Sequence, residues 1–272
     1  MKRSFKIALA ALVCVALVYT NCKKSATSST PSNTPANNMA ISKQIAGTFI
    51  KSLNGEYGGA KIGDGIKAPS NPFSTQKGPR VNSVTSYCGY TIDTSLFFTR
   101  VIGDTTRVVG SKYKFIYTCS NGALNGYILS DSITYTDNGT LLNNKYLTGQ
   151  NYAVNNFSSG FSVVLIRGTL GTNYSVSALN KSHIVVAYNK ANIQYYLNAL
   201  TVNVTGSSPN ITSGSTDFNA SISYLQDGNT VEGNYSGSMQ FLGNHLVKIT
   251  LTYNGVTTVY SYNLITQEIG II

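Results

Sequence analysis

Tryptophan is absent from this 272-residue chain, histidine occurs only as His183 and His245, and aspartate and glutamate together number ten. Each scarcity removes a class of chemistry. Glu56, Glu232 and Glu268 are the only glutamates, and no two acids share a D-x-D or E-x-x-H spacing, so no local carboxylate pair offers itself for glycoside hydrolysis. Neither histidine has a second His, Cys or Glu at ligand spacing, so both read as strand-end residues and no metal site is expected. A G-x-S-x-G elbow is missing, and Gly58-Gly59 lacks the Lys and Ser of a phosphate loop. Asp217, Asn219 and Ser221 alternate as in a strand instead of filling a calcium loop. No cofactor is indicated.

Basic residues outnumber acids to give a formal net charge of +10, yet they are dispersed. Beyond the first few residues Lys23-Lys24 is the only adjacent pair, so there is no basic stripe to track phosphates and nucleic acid is not an expected partner. The charge reads as solubility and attraction to anionic surfaces.

Long apolar runs are also scarce: there is one, Ile7 to Val18, preceded by Lys2, Arg3 and Lys6. At about 1.5 Å per residue it makes roughly 18 Å of helix, short of the roughly 30 Å hydrocarbon core of a bilayer. A charged start followed by a short apolar stretch is an export signal, and residues 1–21 are read as a signal peptide. Its end, Tyr19-Thr20-Asn21-Cys22-Lys23-Lys24, resembles the lipoprotein signals of Bacteroidota, where the residues before the acylated cysteine are looser than the common L-A-G-C form. The resemblance covers about two dozen residues. It implies cleavage before Cys22, a diacylglycerol on that thiol and a third chain on the new amino terminus, enough for stable attachment. It also implies a place in the cell envelope, lipid-anchored in the outer membrane and facing the periplasm or the cell surface. No small-x-small triplet precedes Cys22, which argues against ordinary cleavage there. Loss of Lys2, Arg3 and Lys6 with the signal leaves a net charge of +7.

Residues 22–39, rich in Ser, Thr, Pro and Asn, read as a disordered tether, and 40–272 as one domain. Ile41, Ile45, Phe49 and Leu53 recur at helical period, with Asn38 placed to cap the start and Gly55 the end. Residues 56–80 read as loop. From about Ser83 onward, alternating runs of Tyr, Val, Ile and Thr are separated by turn pairs such as Asn121-Gly122, Asn125-Gly126, Asn254-Gly255 and Gly243-Asn244. The expected fold is mainly β: a single curved antiparallel sheet or partial barrel of about ten strands, with the one N-terminal helix against its centre. A two-residue turn at Asn254-Gly255 makes facing residues sum to 509, which sets Tyr253, Leu251, Ile249 and Val247 on a core face with Val256, Thr258, Tyr260 and Tyr262. Phe161 to Ile166 and Ile184 to Ala187 are apolar at consecutive positions and read as strands covered on both faces.

Cys14 leaves with the signal and Cys22 takes the lipid, so Cys88 and Cys119 remain as a disulfide pair in an oxidising compartment. Their numbers sum to 207, the sum set by a two-residue turn at Gly103-Asp104, which places them opposite each other on adjacent strands. The same register sets Arg100 against Arg107, an opposition of like charges that a longer turn or a bulge would relieve.

Nineteen tyrosines stand where tryptophan is absent, often beside Asn, Ser or Thr, as at Tyr152, Tyr174, Tyr188, Tyr195, Tyr196 and Tyr235. Most are expected to pack; exposed ones beside amides suit sugars, the ring meeting CH groups and the amide meeting hydroxyls. Asp131-Ser132-Ile133 and Asp104-Thr105-Thr106 resemble the short O-glycosylation acceptors of exported Bacteroidota proteins, which marks Ser132 and Thr105. The function expected is a non-catalytic envelope lipoprotein that binds a ligand, a glycan or a partner protein. A surface adhesin or structural component is the first alternative, and a hydrolase assembled from distant strands the second. The anchor predicts that Cys22→Ser shifts the protein from the detergent-extracted membrane fraction to the soluble one and removes the acyl mass; fractionation that does not change contradicts it.

Overall fold

The computed structural model describes residues 35–64, 88–156, 161–205, 209–226 and 228–272. The signal segment and Cys22 lie outside the described residues, as does most of the segment read as loop.

Chain order is helix first: α1 (Pro35–Leu53), then a short 3-10 turn (Ile62–Asp64). Eleven strands follow: β1 (Thr91–Ile102), β2 (Thr105–Ser120), β3 (Ala123–Asn138), β4 (Leu142–Asn156), β5 (Val163–Leu179), β6 (Val185–Asn203), β7 (Asn210–Gln226), β8 (Asn229–Gly243), β9 (Leu246–Tyr253), β10 (Val256–Asn263) and β11 (Ile269–Ile271). They form one antiparallel sheet in sequence order, not closed into a barrel, with the single helix near the N-terminus. The expected curved sheet of about ten strands is thus one of eleven.

Helix α1 starts at Pro35, before the expected cap at Asn38, which lies inside it and is buried. Proline suits a first helical position because its missing N–H would have no partner there. At the other end Gly55 is left-handed (φ 66°), with Gly55 N–H bonded to Ser52 C=O and Glu56 N–H to Lys51 C=O. That pair of bonds is a Schellman stop. The helix lies on the inner face of the sheet, where Ile41, Ile45, Ala46, Phe49 and Leu53 are all at most 2% exposed. Tyr195 of β6 donates to Ile45 C=O at 2.8 Å, Ser52 and Thr172 share a bond of 2.6 Å, and the Phe49 ring meets Tyr195 and Phe241 at 5.1 and 5.6 Å between centroids.

Two hairpins stand in the expected registers. Strands β9 and β10 pair as Tyr253 with Val256, Leu251 with Thr258, Ile249 with Tyr260 and Val247 with Tyr262. Val256 alone of that set is exposed, at the turn. Strands β1 and β2 pair from Ile102 with Thr105 to Thr91 with Ile116 without a shift, and the cysteines continue the line, bonded with Cα atoms 5.6 Å apart. Arg100 does face Arg107, but neither a longer turn nor a bulge intervenes. Arg107 instead turns to its other neighbour, Asp137 of β3, with Nε and Nη2 at 2.8 and 2.9 Å from the two carboxylate oxygens, which neutralises the repulsion.

Other turn pairs and apolar runs behave differently. Asn125-Gly126 lies inside β3, and the turn before β9 is Asn244-His245, each at positive φ. Ile184, Val185 and Val186 are exposed at the tip between β5 and β6, not covered on both faces. Of the run Phe161 to Ile166 only Val164 and Ile166 are buried, with Val163 and Leu165 half-buried on the other side. The sheet bends along a line of bulges at Gly168 of β5 and Asn198 to Thr201 of β6. At Gly168 (φ 142°) a Cβ would stand 2.3 Å from Asn151 O, so the bend requires glycine.

The Cys88–Cys119 bridge spans 31 residues of sequence, and in the chain-entropy picture closing such a loop stabilises by about 3 to 4 kcal/mol. Replacing both cysteines by serine is expected to lower the unfolding free energy by about that amount, with the far-UV spectrum unchanged; equal stability of the two proteins contradicts it.

Candidate binding face

The strict alternation along each strand sorts the tyrosines. Tyr152, Tyr174, Tyr195 and Tyr235, four of the six singled out beside polar neighbours, are at most 8% exposed on the inner face, so they belong to the core and not to a ligand surface. Tyr57 stacks on Tyr146 and Tyr174 at 5.2 and 6.3 Å, and burial raises its hydroxyl pKa well above the usual range. Tyr196 remains, 43% exposed on the outer face of β6, with half-buried Tyr188 at the other end of the same row. Lys190 Nζ sits 4.7 Å over the Tyr188 ring, and Ser223 donates to the Tyr188 hydroxyl at 3.3 Å.

Between those two rings the outer face carries amides and hydroxyls in register. One row runs Ser132, Gly149, Gly171, Gln194, Asn219 and Ser236 from β3 to β8. The next runs Asn173, Asn192, Ser221 and Asn234 from β5 to β8. A shallow depression of about 360 Å³ is lined by Asn192, Gln194, Asn219, Ser221, Asn234 and Ser236. Beside it Gly149 and Gly171 leave a gap in the side-chain layer: a Cβ on Gly149 would meet nothing within 4 Å, while Gln194 leans over Gly171. Each Asn or Gln offers an acceptor and two donors, so such a field can bond neighbouring hydroxyls in either sense.

The marked acceptor sites are both at the surface. Ser132 is exposed in the first row, next to the Gly149 gap. Thr105 donates to Asp104 at 3.2 Å, and Asp104 also accepts from the side chain and backbone of Thr140, which ties the β1–β2 turn to the β3–β4 loop. Those hydrogen bonds hold the Asp104 carboxyl below the usual carboxylate range. His183 and His245 both lie in turns at positive φ, and no group of three potential metal ligands occurs among the described residues.

A second polar cluster is internal. Gln150 of β4 accepts Ala60 N–H at 2.7 Å and donates to Ser52 C=O and Ala60 C=O at 3.0 and 3.1 Å, which fastens the segment after α1 to the sheet. Opposite Gln150 in register stands Asp131 of β3, 5% exposed. The sequence marked this residue only as the start of an acceptor triplet; its burial follows from strand alternation, Leu129 and Ile133 flanking it on the same face.

No known protein family, curated protein or solved structure matches the chain.

Burial pushes the Asp131 carboxyl up to about 7, against roughly 3.9 in an unfolded chain. The folded state therefore holds this proton more tightly, and its contribution is full below about pH 4 and lost as pH rises through 7. Asp131→Asn is expected to remove on the order of 4 kcal/mol of decline in stability between pH 4 and 8. Identical pH profiles for the two proteins contradict a buried titrating acid.

Proposed function

We propose that the chain is a non-catalytic, lipid-anchored envelope protein whose sheet binds a polysaccharide on its outer face. The observation that carries this reading is the registered field of amides and hydroxyls between Tyr188 and Tyr196, with the gap at Gly149 beside it. A strand repeats side chains on one face every 6 to 7 Å or so and neighbouring strands lie about 4.8 Å apart, so a flat lattice of donors and acceptors faces a flat chain of hydroxyls. Tyr196 supplies an aromatic face for sugar CH groups. The anchor suits such a role because it keeps the sheet at the envelope while the ligand is held. Ser132, if it carries a glycan, stands at the margin of the same field.

The test is titration with oligosaccharides drawn from a glycan array, comparing three variants. Tyr196→Ala and Asn192→Ala are each expected to weaken binding about tenfold, the loss of one stacking or hydrogen-bonding partner. Gly149→Gln fills an open position on a strand and is expected to fold normally, yet to weaken binding by a similar factor. Binding that survives all three variants removes this face from consideration, and an array with no binder overturns the glycan reading itself.

A further inference from the structure

Among the described residues strand β1 ends one side of the sheet, a long edge with no strand paired beyond it. It pairs with β2 over twelve residues without a bulge, contains no proline and carries only Asp93 and Arg100 as charges. Sheets ordinarily blunt their edges with short strands, bulges, proline or lysine. The opposite edge follows that rule, since β11 has three residues.

The register identifies which backbone groups β1 presents. Ile102 and Thr105 close a two-residue turn, and Tyr117 N–H bonds Tyr90 C=O at 3.0 Å, so the even-numbered residues of β1 engage β2. Asp93, Ser95, Phe97, Thr99 and Val101 therefore direct N–H and C=O outward. Phe97 lies over Gly110 on the outer face and is still 75% exposed. On the inner face Ile92, Leu96 and Phe98 are half-buried.

The edge complements itself in one register. A twofold axis normal to the sheet keeps inner face with inner face, so facing residues must share parity. With the axis through Phe97, that ring meets its own copy, Leu96 faces Phe98, Ile92 faces Ile102 and Ser95 faces Thr99. Asp93 then faces Val101 and Arg100 faces Thr94, so no like charges meet. Moving the axis to Leu96 sets Ile92 against Arg100 and Phe97 against Ser95, and moving it to Phe98 sets Leu96 against Arg100 and Phe97 against Thr99, so either shift breaks up the apolar pairs Phe97 with Phe97, Leu96 with Phe98 and Ile92 with Ile102. We propose that two copies of this chain join through β1 into one continuous antiparallel sheet, with Phe97 on the twofold axis.

Sedimentation equilibrium of the full chain in detergent is expected to show a reversible dimer in the micromolar range, and a monomer at all concentrations up to about 1 mM overturns the proposal. Ser95→Pro deletes one outward N–H and leaves the β2 ladder intact; it is expected to give a monomer with an unchanged melting transition. Should that variant fail to fold, Phe97→Lys opposes two charges at the axis and carries the same expectation. A dimer that survives the folded variant excludes β1. Facing Cα atoms in a bonded pair lie about 5.5 Å apart, within disulfide reach, so Phe97→Cys is expected to cross-link copies on oxidation beyond the level of the parent chain. Cross-linking by Leu96→Cys or Phe98→Cys in its place overturns the register.

Discussion

The burial of α1 against the inner face is the interaction on which the rest of the sheet depends. A meander of eleven strands in sequence order makes backbone bonds only between neighbours, so nothing in the ladder itself brings β4 near β10. The helix supplies that connection. Phe49 touches Tyr195 of β6 and Phe241 of β8, Ser52 reaches Thr172 of β5, and Gln44 reaches Tyr174 and Asn189. Truncating one such buried ring costs on the order of 3 to 5 kcal/mol, a large part of the whole stability of a domain. Curvature and core are thus one property: the bend at Gly168 makes the sheet concave, and the concavity is filled by α1.

A sheet covered on one side sends its apolar residues inward and leaves the other face free of structural duty. That is consistent with the two outer rows from β5 to β8, Gly171, Gln194, Asn219 and Ser236 beside Asn173, Asn192, Ser221 and Asn234, which hold no apolar side chain. It also explains the edge. Among the described residues β1 is the last strand on its side, with Ile92 packed against the core, and a strand that ends a sheet without closing a barrel keeps outward backbone groups.

The parts legible in the sequence were those with local rules. Two-residue turns at Gly103-Asp104 and Asn254-Gly255 set register by arithmetic, so the disulfide and the β9–β10 core face followed without tertiary information. The apolar period of α1 was equally plain, although Pro35 extended it by using a position where a missing donor is harmless. What escaped depended on strand faces beyond a bulge. In β6 the inward residues are odd-numbered through Tyr195 and Leu197, then even-numbered at Leu200 and Val202, with Ala199 at positive φ between them. No composition rule announces that switch, and without it the inward tyrosines cannot be separated from Tyr196.

The outer field was illegible for a further reason. Ser132, Gly149, Gly171, Gln194 and Asn219 are scattered over some ninety residues of sequence, and only four consecutive registers bring them into line. Each residue taken singly is an ordinary polar position on a strand. Their common meaning lies in the spacing of the lattice, which the curvature around α1 fixes: were the helix to shift, the inter-strand twist and hence the distances between amides would shift with it. Binding by the outer face and packing of the inner face are in that sense coupled through the same strands, the ligand reading a geometry that Phe49 and its neighbours hold from behind.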